Sequence, residues 1–247
     1  MIFEEIFLYK ELWIPPINFK ISYIKLNKKK GCFFIKKNII NLDQKYLNIY
    51  RLIVCIFGWT TLILLVVVPF ELNISGRLYS LYTFQANILV LSWFTITLIF
   101  YKKDKKPKLL NSGVDGAVTL YNIVALLIYV TVLAPRDSIS PEGIQFFINL
   151  SIHIIIPIIV FIDWLLTSFK YKYKWSYILY WSIYPIGYLA YCLILAGVFQ
   201  IYIYEFFNLS KIAIGGIVIS ILGLISVFII LELILIFINR KLHDKFQ

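Results

Sequence analysis

His153 lies within Phe146-Phe147-Ile148-Asn149-Leu150-Ser151-Ile152-His153-Ile154-Ile155-Ile156-Pro157-Ile158-Ile159-Val160, a run apolar enough for a lipid bilayer. The other histidine, His243, sits in a polar tail. Imidazole exchanges a proton near neutral pH, which few side chains do. An ionisable group at membrane depth is expensive and usually marks a functional site or an internal partner. The surrounding polar residues fall at helical spacing. Asn149, His153 and Pro157 share one face of their run, and Ser80, Thr83 and Asn87 share one face of another. Asp115, Thr119 and Asn122 repeat the pattern, while Tyr177, Trp181, Tyr184, Tyr188 and Tyr191 form an aromatic stripe.

Lipid offers no hydrogen bonds, so such faces turn towards the protein interior. On this reading Ser80, Asn122, Asn149, Trp181, Tyr184 and Tyr188 line a partly polar cavity around Thr83, Asn87 and His153. The competing reading is polar glue: Ser, Thr and Asn commonly tie helices together and do nothing more. Asp115, Thr119 and Asn122 fit glue better, and the tyrosine stripe fits packing better. The histidine tips Thr83, Asn87 and His153 towards a site. With ~1.5 Å of rise per residue, Asn87 and His153 both lie ~13 Å below the outer ends of their runs, and Thr83 ~8 Å. Asp163 is not a third member. It is ~80° around the helix from His153 and ~15 Å lower, where Lys170 and its neighbours are expected to pair with it. Glu232 is expected to snorkel or pair in the same way, a buried functional role being the alternative.

Prolines shape the same runs. Pro157 lacks the N–H that would bond the carbonyl of His153, and Pro185 does the same to Trp181. Each predicts a kink and a freed carbonyl.

The elements that carry these residues follow from composition. Hydrophobic residues make up 61% of the 247 positions and charged residues 15%, too little charge to cover a soluble domain of this size. Six apolar runs, at about 49–70, 78–100, 115–134, 144–166, 176–199 and 212–238, each approach the ~20 residues that cross a bilayer. The expected fold is an all-α integral membrane protein, six transmembrane helices in one bundle. Residues 1–48 form a basic lead, 49–238 the membrane domain and 239–247 a tail. Within the lead, Phe3, Ile6, Phe7 and Trp13 alternate with Glu4, Glu5 and Glu11, as in a short interfacial helix. Acids stand where a cleavable signal peptide would carry bases.

The net charge of +11 comes from loops and tails. Lysines crowd the lead, the second-to-third connection (Lys102, Lys103, Lys105, Lys106, Lys108) and the fourth-to-fifth (Lys170, Lys172, Lys174). The alternate loops carry one base each: Arg77, Arg136 and Lys211. This alternation places both termini in the cytoplasm, with membrane lipids, not nucleic acid, as partners. Cys32, Cys55 and Cys192 show no metal or disulfide spacing, and no cofactor is expected. The bias towards Ile, Phe, Tyr, Lys and Asn suggests an AT-rich bacterial genome, hence a bacterial plasma membrane.

Tyr82-Thr83-Phe84-Gln85-Ala86-Asn87, His153 with Pro157, Asp163-Trp164, and Tyr180-Trp181-Ser182-Ile183-Tyr184-Pro185 with Tyr188 and Gly197 form an ordered set. In this order and spacing the chain resembles, over about residues 49–210, the bacterial six-span Pr6Pr membrane proteins. More distantly it is similar to the eukaryotic members of the androgen-induced-like superfamily. It departs from them at Tyr202-Ile203-Tyr204-Glu205-Phe206, where relatives carry prolines, and in its long basic lead. The eukaryotic relatives are threonine hydrolases of lipid esters. The resemblance therefore implies Thr83 as nucleophile and His153 as base, acting on a lipid or fatty-acyl ester. The chemistry is coherent, because a hydroxyl needs a nearby base to become a nucleophile. Asn87 is then the candidate oxyanion donor. The rival expectations are a non-catalytic protein that binds or transports a lipid or small molecule, and a purely structural membrane protein.

Overall fold

The computed structural model describes residues 44–68, 78, 81–101, 113–136, 142–208 and 210–246. These belong to one compact unit, residues 43–247. The basic lead with its interfacial segment, Ser80, and the lysine-rich 102–108 connection lie outside the described residues.

The described residues are helical, with no strand among them. Six helices are long and apolar enough to cross a membrane. The first three runs give α1 (Gln44–Val67), α2 (Tyr82–Ile99) and α3 (Val114–Ile128), the last continuing through a π turn, Tyr129–Leu133, and a 3-10 turn, Ala134–Arg136. The fourth run is a composite of α4 (Gly143–Leu150), a π turn at Ser151–Ile155, α5 (Ile156–Thr167) and a 3-10 turn at Ser168–Lys170. Then come α6 (Tyr177–Phe199) and α7 (Ile214–Phe246). An unbroken helix suits such sequences because it satisfies its own backbone where no water can.

Two apolar clusters hold the helices together. One joins α1, α2 and the fourth run around Leu62, Leu91, Phe94, Ile148 and Ile156. The other joins α2, α3, α5, α6 and α7 around Leu120, Tyr121, Trp164, Trp181 and Ile236. Gly58 lets α1 approach α2 closely, since a Cβ there would stand 2.4 Å from Leu91 Cδ2. α6 buries only Trp181, Cys192 and Ala196 and exposes Leu179, Ile183, Ile194 and Val198, a surface that suits lipid.

Two helices outrun their apolar stretches. α1 starts at Gln44, and its early turns turn Asn48 and Arg51 inward. Arg51 then meets Asp163 through two bonds, Nε to Oδ1 at 2.9 Å and Nη2 to Oδ2 at 2.7 Å. The expectation that lysines near residue 170 hold Asp163 is corrected. Lys170 reaches Gln44 Oε1 instead, and the planar guanidinium matches a buried carboxylate better than an ammonium can. α7 runs on to Phe246 because its last turns cap the neighbouring chain. Asn239 Nδ2 donates to the Ser168 and Tyr171 carbonyls, Arg240 donates to the Tyr173 carbonyl, and His243 Nδ1 donates to the Phe169 carbonyl. These include carbonyls that the end of the fourth run leaves without helical partners.

Candidate functional site

The site begins with the backbone register of the fourth run. In the π turn each N–H reaches back five residues, so Ile156 N–H bonds the Ser151 carbonyl. The next bond in that register would run from residue 157 to the Ile152 carbonyl, and proline has no N–H to make it. The Ile152 carbonyl is therefore left without a backbone donor by the same proline. Asn87 fills the vacancy from α2: its Nδ2 donates to Ile152 O at 3.1 Å and to Thr83 O at 2.8 Å. One side-chain amide thus ties the turn bearing Thr83 to the turn bearing His153.

That arrangement defines what Asn87 can do. Both amide hydrogens are engaged by backbone carbonyls, and the group left buried without a partner is its Oδ1. An acceptor does not stabilise an oxyanion, so in this geometry Asn87 is a helix tie rather than the oxyanion donor. Asn122 repeats the device one helix over, with Nδ2 donating to Ala86 O and Val118 O and Oδ1 buried without a partner.

His153 is held by two contacts. Its Nδ1 donates to the Asn149 carbonyl at 3.1 Å, because that oxygen can only accept. Its ring stacks on Tyr129 with centroids 4.1 Å apart and planes 16° from parallel. Asn149 Nδ2 in turn donates to the Tyr129 hydroxyl at 2.9 Å. With Nδ1 protonated, the neutral ring carries its lone pair on Nε2. Among the described residues Nε2 has no hydrogen-bond partner and is left to accept one. Tyr129 stands at the start of the other π turn, whose Ala134 N–H bonds Tyr129 O just before Pro135. π turns recur at functional sites, and here two of them meet through one ring pair. The sequence reading missed Tyr129. Its signal was a proline six residues on, the spacing Ser151 has to Pro157.

Thr83 belongs to a different space. It is 7% exposed and lines a cavity of about 150 Å³ between α2, α3, α6 and α7. Ile128, Pro185, Leu224 and Phe228 form much of the apolar wall, and Tyr204, Phe206 and Phe207 close one end. Of the expected lining residues, Thr83 and Tyr188 are there. Asn122, Asn149, Trp181 and Tyr184 are not in this lining, and neither is His153. Trp181 packs on Tyr173 and Tyr177, and the Tyr184 hydroxyl donates to Gln85 Oε1. No hydrogen bond joins Thr83 to His153 among the described residues.

The closing segment is pinned. The Tyr204 hydroxyl accepts from the backbone N–H of Tyr82, the first residue of α2, and the Tyr188 hydroxyl donates to it at 3.3 Å. Burial pushes the Tyr204 phenol up from its ordinary range, so it stays neutral. Tyr82 itself lines the cavity, and its hydroxyl is buried and has no partner. Glu232 does not snorkel: it is fully buried, and Ser182 Oγ sits 3.0 and 3.2 Å from its two oxygens. The sequence reading quoted Ser182 and Tyr82 only within longer motifs and gave neither hydroxyl a role.

No family model, curated protein or solved structure matches the chain.

Proposed function

We propose that this chain is a multi-pass membrane protein, with both termini in the cytoplasm, that takes a small amphipathic lipid-like ligand into the cavity beside Thr83. The observation that carries the reading is the Tyr82 hydroxyl. A buried hydroxyl without a partner costs roughly 1–3 kcal/mol, and this one belongs to a residue that lines a mostly apolar cavity. A ligand with an apolar body and one hydrogen-bonding head fits both features. The alternating lysine-rich loops support the orientation, and the composition supports a bacterial plasma membrane.

The test is photolabelling of the full chain in nanodiscs with a diazirine-bearing fatty alcohol, followed by peptide mapping. Labels should concentrate on α2, α6 and α7 residues of the cavity and be lost in Leu224→Trp, which fills it. Labelling spread over the exposed face of α6, and unchanged by that substitution, overturns the reading.

A second reading, ester hydrolysis, has its own support. Thr83 faces the cavity, Asn87 joins its turn to that of His153, and His153 Nε2 holds a lone pair. Thr83 Oγ1 would attack an acyl carbonyl, and its proton would pass to His153 and then to the departing alcohol. Water would then release the acyl group. A fluorophosphonate probe should label the wild type and fail on Thr83→Ala and on His153→Ala. Equal labelling of all three removes this reading and leaves the first intact.

A further inference from the structure

The cavity has a floor that its apolar walls do not explain. Ser182 lines it, and the Ser182 hydroxyl contacts both oxygens of Glu232. Phe228 and Ile229, one turn before Glu232 on α7, line it too. Residues three and four apart share a helix face, so the Glu232 carboxyl lies directly beneath the cavity, behind one serine.

This carboxyl has few ties. A carboxylate accepts about four hydrogen bonds, and Ser182 supplies one hydrogen. Among the described residues no basic side chain lies within ion-pair distance of it. The facing group from α3 is Tyr121, whose hydroxyl donates to Trp181 O. From the 168–173 segment, Lys170 bonds Gln44 and Lys172 pairs with Asp244. On α7 itself, Arg240 and His243 bond the Tyr173 and Phe169 carbonyls. Glu205 and Lys211 pair with each other in the segment between α6 and α7. A charged carboxylate in such surroundings would be very costly without a cation beside it.

We infer that the cavity's ligand is a lipophilic cation, an alkylammonium or related organic base, and that Glu232 exchanges its proton for it. This rests on the cavity being a ligand site and names the class of head group it takes. The lining also holds the aromatic residues Tyr82, Tyr188, Tyr204, Phe206 and Phe228, and aromatic rings attract a desolvated cation. When the cation enters, the Glu232 proton leaves to water, and the carboxylate becomes the counter-ion through Ser182 or past it. One proton is released for each cation bound.

The sign follows. The empty state carries the extra proton, so raising pH favours occupancy, and apparent affinity should rise up to about tenfold per pH unit while empty Glu232 remains protonated. The experiment measures radiolabelled decylammonium binding to the full chain in zwitterionic nanodiscs, with empty discs subtracted, from pH 5.5 to 8. A weakly buffered run counts released protons. Glu232→Gln, nearly isosteric, should weaken binding at least tenfold at pH 8 and abolish the pH dependence. It should leave fatty-alcohol photolabelling of the cavity unchanged. Wild-type binding that is flat in pH, or that releases no proton, overturns the inference without relying on any variant. If the alcohol labels the cavity but the cation does not bind, the inference fails and the cavity remains a ligand site. If neither enters, both fail.

Discussion

Removing the Asn87 amide should destabilise the protein by an amount that depends on whether residue 157 is proline. In the wild type the Ile152 carbonyl has lost its helical donor to Pro157, and Asn87 Nδ2 replaces it at 3.1 Å. Asn87→Ala removes that bond and the 2.8 Å bond to Thr83 O. The Thr83 carbonyl keeps its place in α2, whereas the Ile152 carbonyl is left buried with no donor. An unpaired buried group costs about 1–3 kcal/mol, and cross-helix hydrogen bonds in membrane proteins are worth about 0.6–2 kcal/mol. Losing the buried, partnerless Oδ1 offsets part of this. The net expectation is about 1–2 kcal/mol. Pro157→Ala restores an N–H. Whether the turn stays π or relaxes to α, Ile152 O regains a backbone donor. In that background Asn87→Ala should cost about 1 kcal/mol less, a coupling well above the ~0.3–0.5 kcal/mol scatter of independent sites. The assay is reversible unfolding in mixed micelles with rising SDS, run on both single variants and the double. Additive costs would refute the register argument, and with it the claim that proline and asparagine form one device.

Other consequences are as direct. Arg51→Met strands the Asp163 carboxylate and should cost about 3–5 kcal/mol, most of it recovered in Arg51→Met/Asp163→Leu; the same SDS titration reads both. With only two histidines in the chain, the imidazole proton spectrum has two sets of signals. That of His153 should be shifted upfield by the stacked Tyr129 ring and move downfield in Tyr129→Leu, while His243 stays put. Tyr204→Phe removes the acceptor of the Tyr82 N–H and the partner of the Tyr188 hydroxyl. It should cost about 1 kcal/mol and speed entry of the photolabel, measured as labelling against time.

The six helices were legible because each needs only length and hydropathy. The inward polar faces were legible because an apolar run leaves Asn87 and Asn122 to find partners on neighbouring backbone. Rotation and register were not. The reading that paired Pro157 with the His153 carbonyl assumed an unbroken α register, and so did not foresee that the π turn leaves the Ile152 carbonyl to a donor from α2. Asp163 was assigned the nearest lysines in sequence, but its cation came from α1, more than a hundred residues away. Hydropathy ended the last helix at 238 because charge begins there. Those polar residues, Asn239, Arg240 and His243, are what tie α7 to the fourth-to-fifth connection.

Thr83 and His153 lie on either side of Asn87, and the protein treats them differently. On one side, two proline-terminated π turns bring Tyr129 and His153 face to face and fix the imidazole through Asn149. On the other, Thr83 shares a mostly apolar cavity with Tyr82, whose hydroxyl has no partner, and with Ser182, which bonds a buried carboxyl. Asn87 touches backbone on both sides and offers a hydrogen to neither side chain. A ligand that moved α2 against the fourth run would pull on the carbonyls held by this one amide and shift the turn that carries His153. The turns that carry the two polar groups are therefore joined through one amide, whether or not the groups ever react with each other. The asparagine, more than the histidine that first marks the run, is the residue through which occupancy of the cavity would be felt.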